Sequence, residues 1–357
     1  MAQSFNSTNY SIFSTIVESP ESKIAKALAL ALVALVAVAG NCLVIAAVFQ
    51  NAKIRTVTNY LIVNMAVADL LYIIIALPPF YLDIFDFYEW TFNSQAKRVY
   101  FCKVVHFGQY FFVTVSVLTL AATALDRFFA IALPLRKVFT KKAFYVIVSI
   151  IWFVGALVAA PVIYAQKIKK FGDSYYCDED WGPLFNSTTA SRVYTLFLFS
   201  VVYCVPFLAM TIMYTIICKK LWQRRIPGEQ NRNSCKAMTK SRKKVVKMLI
   251  VVVIAFIICW LPVQILSFLW EYEENIKFPP IVNFLCQLLM RAHASMSPCI
   301  YAVFSGNYRA GFKKALFYCC GGKNKYIHGD NCSRRATISN AEGRRGTVLL
   351  SKQTRLF

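Results

Sequence analysis

The sequence has 357 residues, 58% of them hydrophobic and only 16% charged, with a formal net charge of +23. A soluble domain carries about 25% charged residues, so this composition points to a protein whose apolar surface faces lipid. A basic balance of this size also raises nucleic-acid binding, but that reading fails because the basic residues flank long apolar runs.

Residues 1–24 are polar, with neither the short apolar core nor the cleavage site of a signal peptide, and carry sequons at Asn6 and Asn9. Residues 27–49 form one unbroken uncharged run, long enough to cross roughly 30 Å of hydrocarbon. Further apolar segments run about 57–82, 104–125, 143–166, 193–217, 248–270 and 278–304, the second interrupted by Asp69 and the seventh by Arg291. Seven spans place the termini on opposite sides. With the N-terminus outside, the inner loops and tail hold 29 of the 40 Lys and Arg but 4 of the 17 Asp and Glu. That is +25 inside against −2 elsewhere, the bias that fixes membrane topology. The third sequon, at Asn186, then also falls outside.

Between the fifth and sixth spans, residues 223–239 contain Pro227-Gly228 and Asn231-Arg232-Asn233-Ser234, which argue against continuous helix. After the seventh span, Phe312 and Leu316 recur at helical spacing opposite Arg309, Lys313 and Lys314, as in a helix lying on the membrane surface. Cys319 and Cys320 follow it as candidate palmitoylation sites. The expected organisation is an extracellular tail 1–24, an all-α seven-helix domain 25–305, a membrane-surface helix 306–320 and a disordered tail 321–357. Twelve cysteines are too scattered for a disulfide framework. Cys42, Cys204, Cys259, Cys286 and Cys299 lie within spans as expected packing residues. Cys102 and Cys177 fall on the oxidising side, where a disulfide persists.

Polar groups inside a membrane are costly and mark function. Span one carries Gly40-Asn41, span two Asn64 and Asp69, and span three ends Asp126-Arg127-Phe128. Span four carries Trp152, and span five has Pro206 and Tyr214. Span six has Phe256 and Trp260-Leu261-Pro262, and span seven has Ser297-Pro298-Cys299-Ile300-Tyr301. With all seven motifs in order, one per span, the chain resembles the rhodopsin-like (class A) G-protein-coupled receptors over residues 25–320. The resemblance implies a plasma-membrane receptor that couples an extracellular ligand to a heterotrimeric G protein, with arrestin and receptor kinases as further partners. In this reading Asp126, Arg127, Tyr214, Phe256, Trp260, Pro262 and Tyr301 form the switch. Asp69, Ser116, His293 and Ser297 form a water network able to hold a sodium ion; no other cofactor and no metal centre is expected. Pro206, Pro262 and Pro298 each remove a backbone hydrogen bond, giving bends about which helices pivot.

Two departures stand out: Phe128 replaces the family's usual Tyr, and Ser297 its usual Asn. Gln109, where aminergic relatives place an Asp, disfavours an amine ligand. Arg291, where opsins place a Lys, cannot form a Schiff base. The strings Arg55–Tyr60, Leu221-Trp222 with Ile226–Glu229, and Lys243–Val253 resemble the tachykinin, neuropeptide Y and RFamide receptors. A peptide ligand is therefore expected, at Gln109, Trp260, Gln264, Glu271 and Arg291. An acidic rim of Asp83, Asp86, Glu89, Asp178, Glu179, Asp180, Glu271, Glu273 and Glu274 would steer a cationic peptide inward. A receptor of the same fold for a lipid or other small molecule, and more distantly a transporter, stay open. No nucleophile–base set, metal-ligand spacing or phosphate loop suggests an enzyme.

Overall fold

The computed structural model describes residues 18–85, 94–133, 140–171, 174–223, 232–273 and 278–319, with the backbone alone for 53, 171, 174, 232–241 and 318–319. Asn6, Asn9, Asp86, Glu89, Pro227, Gly228, Glu274, Cys320 and the tail 321–357 lie outside these residues, as does the Cys319 side chain. Two compact units divide the chain, Met1–Lys313 and Lys314–Phe357. Of the second, the described part is the closing stretch of one helix.

The helices are α1 Pro20–Gln50, α2 Val57–Ile84, α3 Gln95–Ala132, α4 Lys141–Ala165, α5 Ser187–Gln223, α6 Arg232–Tyr272, α7 Pro280–Phe304 and α8 Gly306–Cys319. Side chains set several starts. Ser19, Thr56, Thr140 and Asn186 each accept a hydrogen bond from an N–H in the first turn, satisfying donors the helix leaves open. Helix α1 therefore begins at Pro20, ahead of the expected boundary at 25, because Ser19 and Pro20 form a helix start. Helix α6 begins at Arg232, so the expected break over 223–239 is corrected for 232–239, which are helical, while 224–231 lie outside the described residues. The Pro227-Gly228 pair lies upstream of that start, and Lys236-Ala237-Met238 favour helix.

Six of these helices, α1 to α6, are long and apolar enough to cross a membrane. Helix α7 is diluted by Gln287, Arg291, His293, Ser295 and Ser297, yet it packs between α1 and α6. Of these five, Arg291, His293, Ser295 and Ser297 are buried, so most of its polarity turns inward and away from lipid. On α1 and α4 the reverse holds: Leu28, Leu32 and Leu35, and Tyr145, Ile150, Phe153 and Leu157, are exposed, as lipid-facing side chains are. Cys42, Cys204 and Cys299 are also exposed, whereas Cys259 is buried. Cys259, and Cys286 half-buried against the core, match the expected packing role; the three exposed cysteines do not.

Polar bridges hold the bundle's interior. Asn41 donates to the carbonyls of Ala37 at 2.9 Å and Ala294 at 2.8 Å, joining α1 to α7. Asn64 donates to Thr119 at 2.8 Å and accepts from the Trp152 indole at 3.0 Å, joining α2, α3 and α4. Each bond is satisfied away from water, where an unpaired amide would be costly. Gly40 lets α1 approach α7: a Cβ there would lie 2.6 Å from Pro298 Cγ. Helix α5 carries a π turn at Phe199–Cys204, just before Pro206. Such a turn re-aims the side chains that precede it.

Strands β1 Gln166–Phe171 and β2 Ser174–Glu179 pair antiparallel, with Ile168 opposite Cys177. A disulfide joins Cys177 to Cys102 at the start of α3. It pins the hairpin over one end of the bundle.

Candidate functional site

At the disulfide end a narrow open cavity lies among the helices. Gln109, Tyr110, Val113 and Thr114 of α3 face Leu198, Val202 and Tyr203 of α5 and Gln264 of α6 across it. Tyr72, Val117, Phe256, Trp260 and Met290 complete the lining. Three expected ligand residues, Gln109, Trp260 and Gln264, are thus brought together, offering two neutral amides and one indole. Glu271 and Arg291 do not line this cavity. Arg291 is buried, its guanidinium 3.8 Å over the Phe80 ring and donating to the Gln287 carbonyl at 3.0 Å and side chain at 2.7 Å. A buried guanidinium needs such partners; its own helix supplies the hydrogen bonds and α2 the aromatic face.

Glu271 ends α6 against α5, where Ser191 donates to its carboxylate at 3.3 Å and Arg192 Nε to its carbonyl at 3.1 Å. The expected acidic rim is corrected in the hairpin. Lys169 reaches Asp178 at 2.8 Å and Asp180 at 3.5 Å, and Lys167 reaches Asp180 at 4.0 Å. Antiparallel pairing sets β1 lysines beside β2 acids, so the charges largely cancel. The Gly182 amide, then Lys169 and Lys167, hold the Asp180 carboxyl below the ordinary carboxylate range.

Beneath the cavity, Trp260 stacks on Phe256 with centroids 5.7 Å apart, and the His293 ring lies 5.4 Å from Trp260 and 5.0 Å from Tyr72. Asp69 accepts from Ser116 at 2.7 Å. His293 Nδ1 contacts the Met290 carbonyl, which can only accept, so Nδ1 carries the proton. That leaves Nε2, a buried atom without a hydrogen-bond partner, 3.9 Å from Asp69 Oδ1. Two acceptors facing each other require a donor or a small cation between them. Asp69, Ser116 and His293 therefore fit a small cation. Ser297 is buried four residues beyond His293 but forms no hydrogen bond to Asp69 among the described residues.

At the opposite end, Arg127 Nε donates to Asp126 at 3.0 Å, and Thr58 bonds both side chains. An open cavity lies beside it, lined by Arg127, Ala130, Ile131, Arg242, Val245 and Val246. Among the described residues two cations share this cleft and no carboxylate lines it. Tyr214 and Tyr301, buried on α5 and α7, have hydroxyls without hydrogen-bond partners. Pro262 lies in α6 at the level of the other cavity, between its lining residues Trp260 and Gln264.

A family model described as 7 transmembrane receptor (rhodopsin family) matches residues 40–301. The chain belongs to this family. It is 32% identical to the RYamide receptor of Drosophila melanogaster over 289 residues, 78% of this chain and 60% of the relative. It is 33% identical to the Neuromedin-K receptor of Rattus norvegicus over 298 residues, 82% and 63% of the two chains. The Neuromedin-K receptor of Homo sapiens matches at 32% over 301 residues, 82% and 61%. The chain thus spans about three-fifths of the length of these relatives.

In this rhodopsin-family receptor, sequence reasoning missed Thr119 and Thr58, each of which anchors an expected motif residue. Thr119 was legible. Ser116, Thr119, Thr123 and Asp126 recur every three or four residues, which puts one polar stripe on the buried face of α3. Thr58 sits in a string that carried only kinship, and nothing local in it signals a bond across to α3. Arg192 was missed as well. Its partner lies 79 residues away.

Proposed function

We propose that this receptor has its N-terminus outside, binds an extracellular neuropeptide-type ligand ending in Arg-aromatic-amide, and activates a heterotrimeric G protein. The observation that carries this reading is the similarity to the RYamide and Neuromedin-K receptors across the region that builds both cavities. The charge balance across the spans supports the orientation. The aromatic end of the peptide enters the cavity beside Gln109, Gln264 and Trp260. Its Arg reaches the carboxylate of Glu271 above. Contact with Trp260 pivots the inner part of α6 about Pro262, and the cleft beside Arg127 widens to admit the G protein. The ligand acts by binding the open bundle better than the closed one.

Asp69, Ser116 and His293 would hold a sodium ion, which when bound would neutralise the buried carboxylate. Arrestin and receptor kinases are further partners, and lipid contacts the outward faces of the bundle.

The test is a G-protein activation assay in cells, with a synthetic peptide ending Arg-Tyr-amide and with neuromedin K. A response to the Arg-Tyr-amide peptide is expected. Arg127→Ala should keep its binding and abolish activation. Glu271→Gln should weaken it by up to about 3 kcal/mol, the scale of one hydrogen bond to a charged group. Full activation by a well-expressed Arg127→Ala receptor would overturn the coupling role, and silence toward every peptide would overturn the ligand class.

A further inference from the structure

Glu271 is already engaged. Arg192, on the outer stretch of α5, donates from Nε to the Glu271 carbonyl at 3.1 Å and holds the same nitrogen 3.9 Å from Glu271 Oε1. Ser191 donates to the other carboxylate oxygen at 3.3 Å. The Arg192 guanidinium lies 5.3 Å from the centroid of the Tyr272 ring. The side chain of Glu271 is 18% exposed and that of Arg192 38%, so the acid sits inward and the arginine covers it from the open side.

The pair is asymmetric. The 3.9 Å carboxylate contact is longer than a charge-assisted hydrogen bond, about 2.8 Å. The firm bond from Arg192 goes to a main-chain carbonyl. One carboxylate oxygen has only a hydroxyl donor and the other only this long contact, so Glu271 retains acceptor capacity that a second guanidinium could fill. Glu179 on β2 adds a second negative charge to this corner, and its own oxygen accepts from the Trp181 indole at 2.7 Å. A half-exposed ion pair of this length contributes little stability, so displacing it is easy.

We propose that Arg192 is a resident occupant of the cation site at Glu271, standing in for a ligand guanidinium and setting the threshold a cationic ligand must pass. It rests on the peptide reading above and adds a specificity determinant to it. A ligand guanidinium binds by exchange: the planar fork takes the carboxylate face on, and Arg192 swings toward solvent, where it is already partly exposed. A neutral ligand gains nothing from that exchange, because moving Arg192 leaves the acid unpaired. Arg192 therefore competes with cationic ligands alone and limits how strongly the site prefers them.

The test uses the purified full-length receptor and two dipeptide amides, Arg-Tyr-amide and its neutral isostere citrulline-Tyr-amide, read by thermal shift. On the unsubstituted receptor the Arg probe should bind more tightly. Arg192→Gln should tighten the Arg probe by roughly threefold to fivefold, the range of one exposed ion pair, and leave the citrulline probe unchanged. Arg192→Lys, which keeps the charge, should stay near the unsubstituted value and controls for folding. Equal gain for both probes, any loss in Arg192→Gln, or no binding of either probe to any variant overturns the inference. Binding as expected, with no G-protein response to the longer peptide, would leave the cation site standing and remove the peptide-agonist reading instead.

Discussion

Helix α3 runs from Cys102, near one end of the bundle, to Arg127, near the other, and the two surroundings differ in kind. Around Cys102 the hairpin and its charged groups are largely paired. The disulfide fixes the hairpin, Lys169 answers Asp178 and Asp180, and Arg192 covers Glu271. Around Arg127 pairing is sparser. Its carboxylate partner is its own neighbour, Arg242 shares the cleft as a second cation, and the Tyr214 and Tyr301 hydroxyls are unpartnered. Buried polar groups are normally satisfied, and exceptions ask for an explanation. At this end the exceptions are the Tyr214 and Tyr301 hydroxyls, in a bundle whose α6 carries Pro262, so a second arrangement of the helices could satisfy them. The contrast is between a framework that presents a cavity and an end with latitude to move.

The contrast is most severely tested by opening the disulfide. Cys102→Ser should cost about 2–5 kcal/mol and reduce the folded receptor at the cell surface, measured by antibody staining and the melting temperature of the solubilised protein. Unchanged values would mean that the hairpin needs no tether. Next in size, Gly40→Ala forces a Cβ against the rigid Pro298 ring and should destabilise by about 1–3 kcal/mol, without altering the ratio of signalling to bound ligand. A selective loss of signalling would show that the α1–α7 contact also belongs to the movable end.

A smaller effect is expected at Thr58, which bonds both Asp126 and Arg127. Thr58→Val should remove about 1 kcal/mol of restraint and raise basal G-protein activation a few-fold. Basal activity equal to that of the parent would show that Asp126 alone holds Arg127. The smallest effect concerns Asp180, whose depressed carboxyl gives stability that is present above the unfolded value, near 3.9. That stability is lost as pH falls through the folded value. Hydrogen exchange of the hairpin amides should therefore be flat from pH 7 to about 5, after allowing for intrinsic rates, and the hairpin should loosen only in stronger acid. Loosening near pH 6 would point to another group.

Much was legible along the chain, for a physical reason. Lipid imposes length and apolarity on each span, and the expense of a polar group inside it makes Asn41, Asn64, Asp69, Arg127 and Trp260 stand out singly. Helical period adds the buried stripe from Ser116 to Asp126. Such signals are local, so one chain suffices to read them. What the tertiary structure alone decided is pairing. That Arg291 turns to Phe80 and Gln287 and leaves the cavity, that β1 lysines neutralise β2 acids, and that Arg192 covers Glu271 depend on which helices and strands meet, and at what register. Opposite charges far apart in sequence attract only once the backbone has brought them within a few ångströms. The acidic residues announced a site for a cation; the fold decided that Asp178, Asp180 and Glu271 already had one.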